Sequence, residues 1–222
     1  MCIYFIPHKL YELNGDAILS EQSITRLKQL TSILVIDDKP FEYLDILKTS
    51  YEFNIQQKND LTLLTDAEAY DIILCDIRGV GKFLNSPYDG AKLIKELKEK
   101  YPDKMIIAYT TFEYRSEFQE YLDYADKKIY KGSPDLDSWV GILTQILKES
   151  ADPVKYWERI RKALINANVP TIDIARYESQ YVNAYKKKNF ESLKKLYSNK
   201  GNNGAKIMTE IASSTLAKII KP

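Results

Sequence analysis

Cysteine and histidine are nearly missing from this chain, which has two cysteines and one histidine in 222 residues. Cys2 lies near the terminus and Cys75 inside an apolar run, so neither a disulfide framework nor a zinc cluster is available. A reducing compartment fits that usage, and Cys75 reads as a buried strand residue rather than a redox sensor. His8 stands alone, and a histidine metal site or acid/base relay needs partners of its own kind, so it receives no role. The N-terminus shows no charged stub followed by an apolar run and a small-residue cleavage site. No apolar stretch approaches the ~18 residues of a membrane span, and the expected location is the cytoplasm. Internal repeats, low-complexity tracts and glycine-rich cofactor loops are also lacking.

What is present is enough apolar material for real cores: 45% hydrophobic residues, 12% aromatic, in a length that holds one large domain or two modest ones. The formal charge of +1 conceals an asymmetry. Residues 1–150 carry 18 Lys+Arg against 25 Asp+Glu, whereas residues 151–222 carry 14 against 6. Opposite net charges of −7 and +8 suggest two parts with different jobs.

From residue 33 onward, short apolar β-branched runs alternate with longer amphipathic stretches, the pattern of a parallel sheet with crossover helices. Strands are expected at Ile33 to Asp37, Phe53 to Gln57, Asp71 to Ile77, Lys104 to Thr110 and Lys128 to Tyr130. Helices are expected near 40–50, 61–69, 90–101, 113–125 and 135–149. Runs such as Ile33-Leu34-Val35-Ile36 and Ile72-Ile73-Leu74-Cys75 are apolar on both faces, as buried parallel strands are. The fold class is α/β, a five-stranded doubly wound parallel sheet, followed by a small all-helical C-terminal domain. Its helices are expected near 153–166, 171–188, 189–198 and 204–220, opening at Ala151-Asp152-Pro153. The division is therefore an N-terminal extension (1–30) with a strand at Cys2 to Ile6 and a helix near 20–30, a central domain (31–150) and a basic tail (151–222).

Acidic residues fall where strands end: Asp37 and Asp38 after the first, Asp76 at the end of the third. Ligands of open α/β sheets bind beyond the carboxyl ends of the strands, at the point where strand order reverses. With the order 2-1-3-4-5, the flavodoxin-like arrangement, the first and third strands are neighbours and the three carboxylates converge. Such a cluster invites a hard cation, and a few carboxylates with water suit Mg2+. Thr110 ends the fourth strand and Lys131 follows the fifth, adding a hydroxyl and a point charge suited to a phosphoryl group. A carboxylate can act as nucleophile toward phosphorus when metal and cation offset the charge on the transferring oxygens.

At these residues the sequence resembles the response-regulator receiver family over about residues 32–149. Ile33-Leu34-Val35-Ile36-Asp37-Asp38 is similar to the family's first strand with its acidic pair, and Ile72-Ile73-Leu74-Cys75-Asp76 to the strand ending in the phosphoacceptor. Ile106-Ile107-Ala108-Tyr109-Thr110-Thr111 resembles the strand ending in the switch hydroxyl, and Ala125-Asp126-Lys127-Lys128-Ile129-Tyr130-Lys131 the approach to the family's lysine. The resemblance implies Asp76 as phosphoacceptor, Asp38 as direct metal ligand with Asp37 assisting, and the carbonyl of Arg78 as a further ligand. Thr110 and Lys131 then contact the phosphoryl group. It also implies a phosphorelay partner, a histidine kinase or phosphotransfer protein, because the chain's lone histidine offers no donor.

Three departures from the family pattern stand out. The loop from Arg78 to the Asp89-Gly90 pair is longer. Lys128 occupies the position of an aromatic switch residue, for which Tyr130 or Tyr109 are substitutes, and Gly132 follows the lysine in place of a proline. Two other classes of function compete with the response-regulator reading: a phosphorylation-independent interaction adaptor and a DNA-binding transcription regulator. In the tail, Tyr177, Tyr181 and Tyr185 recur every four residues and form one helix stripe, more often a packing or dimer face than a base-stacking platform. Lys186-Lys187-Lys188 and Lys194-Lys195 leave room for phosphate contacts with nucleic acid, although such runs are usually solvated faces. Thr171 to Tyr185 opens like a helix-turn-helix but lacks the short glycine-bearing turn and a second recognition helix. Turnover of a diffusible substrate is not expected. A phosphatase of similar fold wants a second acid two residues after the nucleophile, and Arg78 stands there.

Overall fold

The computed structural model describes residues 9–13, 21–85, 88–110, 116–132, 135–211, 214 and 216–217. The expected strand at Cys2 to Ile6 and His8 lie outside the described residues, as do parts of the expected helices at 113–125 and 204–220. By contacts the chain divides into two compact units, Ile24–Leu147 and a second that joins Met1–Ser23 to Lys148–Pro222.

In the first unit, strands β1 (Ile33–Ile36), β2 (Ile55–Lys58), β3 (Ile72–Cys75), β4 (Met105–Thr110) and β5 (Lys127–Tyr130) form one sheet of order β2-β1-β3-β4-β5, every pair parallel. The central strands β1, β3 and β4 are buried at every position, whereas the edges β2 and β5 are only partly buried. That is why the central runs are apolar throughout and Ile55-Gln56-Gln57-Lys58 is not. Successive side chains of a strand point to opposite faces, so each strand feeds two cores. Leu34, Ile36, Ile73, Cys75, Ile106 and Ala108 pack with Leu93, Ile94 and Leu97 of α3 (Asp89–Lys100) and Phe118 of α4 (Ser116–Leu122). Ile33, Val35, Ile72, Leu74, Ile107 and Tyr109 face the other way, onto Leu47 of α2 (Leu44–Thr49) and Trp139, Leu143 and Ile146 of α5 (Leu136–Ala151).

The helix expected near 61–69 is instead a short 3-10 turn, Leu64–Ala67. The Asp66 carboxylate accepts the N–H groups of Thr62 and Leu63 at 2.9 and 3.0 Å, a local side-chain bond that competes with continued helix. Helix α1 (Glu21–Leu30) ends against the sheet's approach: Leu27 is buried, and Lys28 donates to the Tyr51 carbonyl at 2.9 Å with its ammonium 4.6 Å from the Phe53 ring centre.

The second unit contains α6 (Pro153–Asn166), α7 (Thr171–Lys186), α8 (Glu191–Tyr197) and α9 (Asn203–Glu210). Asp152 caps α6, accepting the N–H groups of Val154 and Lys155 at 2.8 and 3.0 Å, with Pro153 at the first helical position. Its core is built on large rings: Trp157 stacks on Tyr181 at 5.0 Å, and the Tyr181 hydroxyl donates to the Pro153 carbonyl at 2.7 Å. Tyr177 and Tyr181 are buried in that core and Tyr185 packs against it, so the tyrosine stripe is a packing face. Leu13 is buried there too, and Lys186 pairs with Glu12, which gives residues 9–13 a place in the helical unit.

Lys98 of α3 is buried and donates to the Lys104 carbonyl at 2.9 Å and to Asp126 at 2.8 Å, and the same Asp126 oxygen accepts the Ile106 N–H at 2.8 Å. One carboxylate thus ties α3, β4 and the turn into β5. Asp126→Ala takes the carboxylate away from a buried ammonium and from the Ile106 N–H, and is expected to cost about 3 kcal/mol in urea unfolding. Asp126→Asn, which still accepts the Ile106 N–H, is expected to cost less.

Candidate functional site

Sheet register assembles the site. Ile36 of β1 lies opposite Cys75 of β3, so the residues that follow, Asp37 and Asp76, leave the sheet side by side. Thr110 of β4 lies opposite Tyr130 of β5, and the Lys131 N–H donates to the Thr110 carbonyl at 2.9 Å, which carries Lys131 to the same end. The Lys131 ammonium then bridges the two acids, 2.5 Å from Asp37 Oδ2 and 2.6 Å from Asp76 Oδ2. The three side chains are only 10%, 4% and 8% exposed. Beneath them the Tyr109 ring centre lies 4.4 Å from the ammonium.

The remaining oxygens are engaged as well. Asp37 Oδ1 accepts the Lys39 N–H at 2.9 Å, and Asp76 Oδ1 accepts the Ile77 N–H at 2.7 Å. Asp38 is exposed but close: one oxygen from each of Asp37, Asp38 and Asp76 lies within 4.8 Å of the others. Burial pushes the Asp76 carboxyl above its ordinary range, a rise opposed by its hydrogen bond to Lys131 and by the lysine's charge and reinforced by Asp37. Burial next to both carboxylates likewise drives the Tyr109 phenol upward. Three acids, two of them buried, against one ammonium leave two negative charges, which is the deficit a divalent cation fills.

Gly79 has φ +73°, and a Cβ on it would stand 2.3 Å from Asp38 Oδ2, so the carboxylate lies against a backbone stripped of side chain. A Cβ on Gly90 would fall 1.9 Å from the Asp76 carbonyl oxygen, which explains the Asp89-Gly90 pair at the start of α3. The all-oxygen donor set of Asp37, Asp38 and Asp76 is of the kind that suits a hard divalent cation.

The structure thus brings Asp37, Asp38, Asp76 and Lys131 together. Thr110 is buried at the end of β4 and touches the group through its main chain. Arg78 leaves β3 on the following loop with its guanidinium over the Phe118 ring at 5.9 Å. Of the two substitutes for the aromatic switch, Tyr130 is 64% exposed, whereas Tyr109 is buried edge-on against Phe41 and Trp139. Lys128 sits on the surface 3.7 Å from Asp123. Strand alternation holds the signal for Tyr109: it follows Met105 and Ile107 on the face toward α5. The part of Gly79 was not visible in the linear pattern, since it depends on a loop that returns to Asp38 from elsewhere in the chain.

Removing Lys131 sets two buried carboxylates against each other. In metal-free buffer, Lys131→Met is expected to cost about 3 kcal/mol in denaturant unfolding. Adding Asp37→Asn to that variant is expected to restore part of the loss, because one of the repelling charges is gone.

The sequence matches no family model and no curated protein. Among solved structures, the chain is similar to a CheY-like response regulator receiver domain protein from Methanospirillum hungatei (19% identity, 54% of this chain, 95% of that one, TM-score 0.40). It is similar to TrrA from Thermotoga maritima, solved in complex with Mg(2+)-BeF (21% identity, 52% and 98%, TM-score 0.37). A third is a Burkholderia pseudomallei response regulator with a phosphorylated aspartic acid, a calcium ion and citrate (20% identity, 66% and 91%, TM-score 0.36). By its own strand order and parallel pairing, the unit Ile24–Leu147 has the fold of a receiver domain.

Proposed function

We propose that the chain is a response regulator of a phosphorelay: Asp76 accepts a phosphoryl group from a phosphohistidine on a partner kinase or phosphotransfer protein, and the helical unit serves as output or dimerisation module. The observation that carries this is the Lys131 ammonium bridging Asp37 and Asp76 within an acidic cluster at the carboxyl end of a parallel sheet.

The chemistry needs little beyond positioning and charge. An Asp76 oxygen attacks phosphorus in line with the bond from phosphorus to the donor imidazole nitrogen. That bond breaks, the nitrogen keeps the electron pair and takes up a proton, and a mixed carboxylic-phosphoric anhydride is left on Asp76. Mg2+ held by Asp37, Asp38 and Asp76 would offset the charge on the transferring oxygens. Lys131, already 2.6 Å from Asp76, exchanges part of its carboxylate pairing for the incoming phosphoryl oxygens. Thr110, at the neighbouring strand end, supplies a hydroxyl to the same group. Hydrolysis by water returns free Asp76, so the only turnover is the domain's own dephosphorylation.

A route for the signal exists within this unit. Lys131 lies over Tyr109, and Tyr109 meets Trp139 of α5 edge-on at 5.5 Å. Any step that draws the ammonium toward a phosphoryl group alters what the Tyr109 ring carries.

Incubating the full chain with Mg2+ and a small acyl phosphate is expected to add one phosphoryl group by mass, and to change tryptophan emission through Trp139. Both effects should vanish in Asp76→Ala. No mass gain, or a gain that survives the substitution, overturns the proposal. A partner affinity unchanged by Asp76→Asn favours the phosphorylation-independent adaptor instead.

A further inference from the structure

Asp60, two residues beyond β2, accepts three main-chain N–H groups. The bond from Leu61, at 2.8 Å, is local. The other two come from the loop that leaves β3: Gly81 at 2.5 Å and Lys82 at 3.1 Å, 21 and 22 residues away in sequence. A carboxylate collecting several backbone donors is a strong, oriented clamp.

The clamp fixes a turn whose near end borders the acidic cluster. Gly79 and Gly81 both adopt left-handed φ, +73° and +75°, and Val80 between them is fully buried in the core shared with α3. From Gly79 to Lys82 each residue is therefore held: the first against the Asp38 carboxylate, the second in the core, the third and fourth by Asp60. The loop has no proline before Pro87 to stiffen it, so its rigidity near the site comes from these contacts. Arg78 lies in the short span between Asp76, fixed by the sheet, and Gly79, fixed by the turn.

We propose that Asp60 is a positioning residue for the metal site, holding the Gly79–Lys82 turn so that the main chain after Asp76 stays seated beside Asp38. The proposal rests on reading Asp37, Asp38 and Asp76 as the metal cluster. Asp60 is not itself a ligand; it acts through the Gly81 and Lys82 amides. Removing such a support weakens metal affinity by about 10- to 100-fold where the ligands themselves are intact.

The test uses the full chain with Mg2+ alone, titrated by calorimetry, alongside thermal unfolding in metal-free buffer. Asp60→Ala is expected to weaken Mg2+ binding about tenfold. Asp60→Asn, which keeps one acceptor oxygen, is expected to lie between it and the wild type. In acyl phosphate labelling, the Mg2+ concentration for half-maximal rate should rise in Asp60→Ala while the rate at saturating Mg2+ stays near wild type. A purely structural role lowers the unfolding midpoint but leaves the affinity of the folded protein unmoved, and that result overturns the proposal. Should Asp60→Ala fail to fold, Asp60→Asn decides by the same titration: wild-type affinity overturns, weakened affinity supports. A wild-type chain that binds no Mg2+ overturns the reading of the cluster as well, whereas wild-type binding with equal affinity in the variants overturns the role of Asp60 alone.

Discussion

The pairing of one lysine with two nearly dry carboxylates governs the rest of the α/β unit. Desolvating an ion costs several kcal/mol, and mutual attraction repays it only with good geometry and satisfied lone pairs. Both conditions hold here: Lys131 lies within 2.6 Å of each acid, and the outer oxygens of Asp37 and Asp76 take backbone N–H groups from Lys39 and Ile77. That geometry follows from the sheet. Parallel pairing of β1 with β3 sets the two acids abreast, and pairing of β4 with β5 delivers the lysine from the opposite edge. A slip of one residue in either register would turn a side chain of the trio to the other face and strand the remaining charges.

Much of this was legible in the sequence because it obeys short-range rules. Strands buried on both faces write themselves as continuous apolar runs, and Ile33 to Ile36, Ile72 to Cys75 and Met105 to Thr110 are such runs. Residues that follow parallel strands gather at one end of the sheet, and this rule alone brings Asp37, Asp38, Asp76 and Lys131 into one site. What escaped depends on chain segments that meet only after folding. Asp60 reads as an ordinary loop acid, and nothing near it announces that it takes amides from residues 81 and 82. Leu13 could not be assigned to the helical core, since its partners lie more than a hundred residues onward. The segment 61–69 carries a helical pattern but forms only the 3-10 turn Leu64–Ala67, because Asp66 accepts the N–H groups of Thr62 and Leu63 at its start.

The helical unit reads differently. Its tyrosines, spaced by four, invite a stacking function, yet Tyr177 and Tyr181 are consumed by packing with Trp157, Phe190 and Tyr197. The lysines at 186–188 and 194–195 are exposed, as solvated faces are, so the positive charge is at the surface while the rings are inside. Among the described residues, no helix is long and apolar enough to cross a membrane.

Function then turns on whether occupation of the acidic cluster changes any contact beyond it. A ligand shifts a conformational equilibrium only by binding one state better than another. In this unit the differential contact is close at hand, because the ammonium that neutralises Asp37 and Asp76 also lies over Tyr109. Tyr109 in turn shares Phe41 and Trp139 in an edge-on cluster, each ring pair between 5.0 and 6.1 Å. Aromatic packing of that kind is close and directional, so a change in the charge held over one ring is felt by its neighbours. The buried tyrosine under the lysine therefore occupies the position that the exposed Tyr130 and the surface Lys128 do not: in contact with both the acidic site and the helix that leaves the sheet.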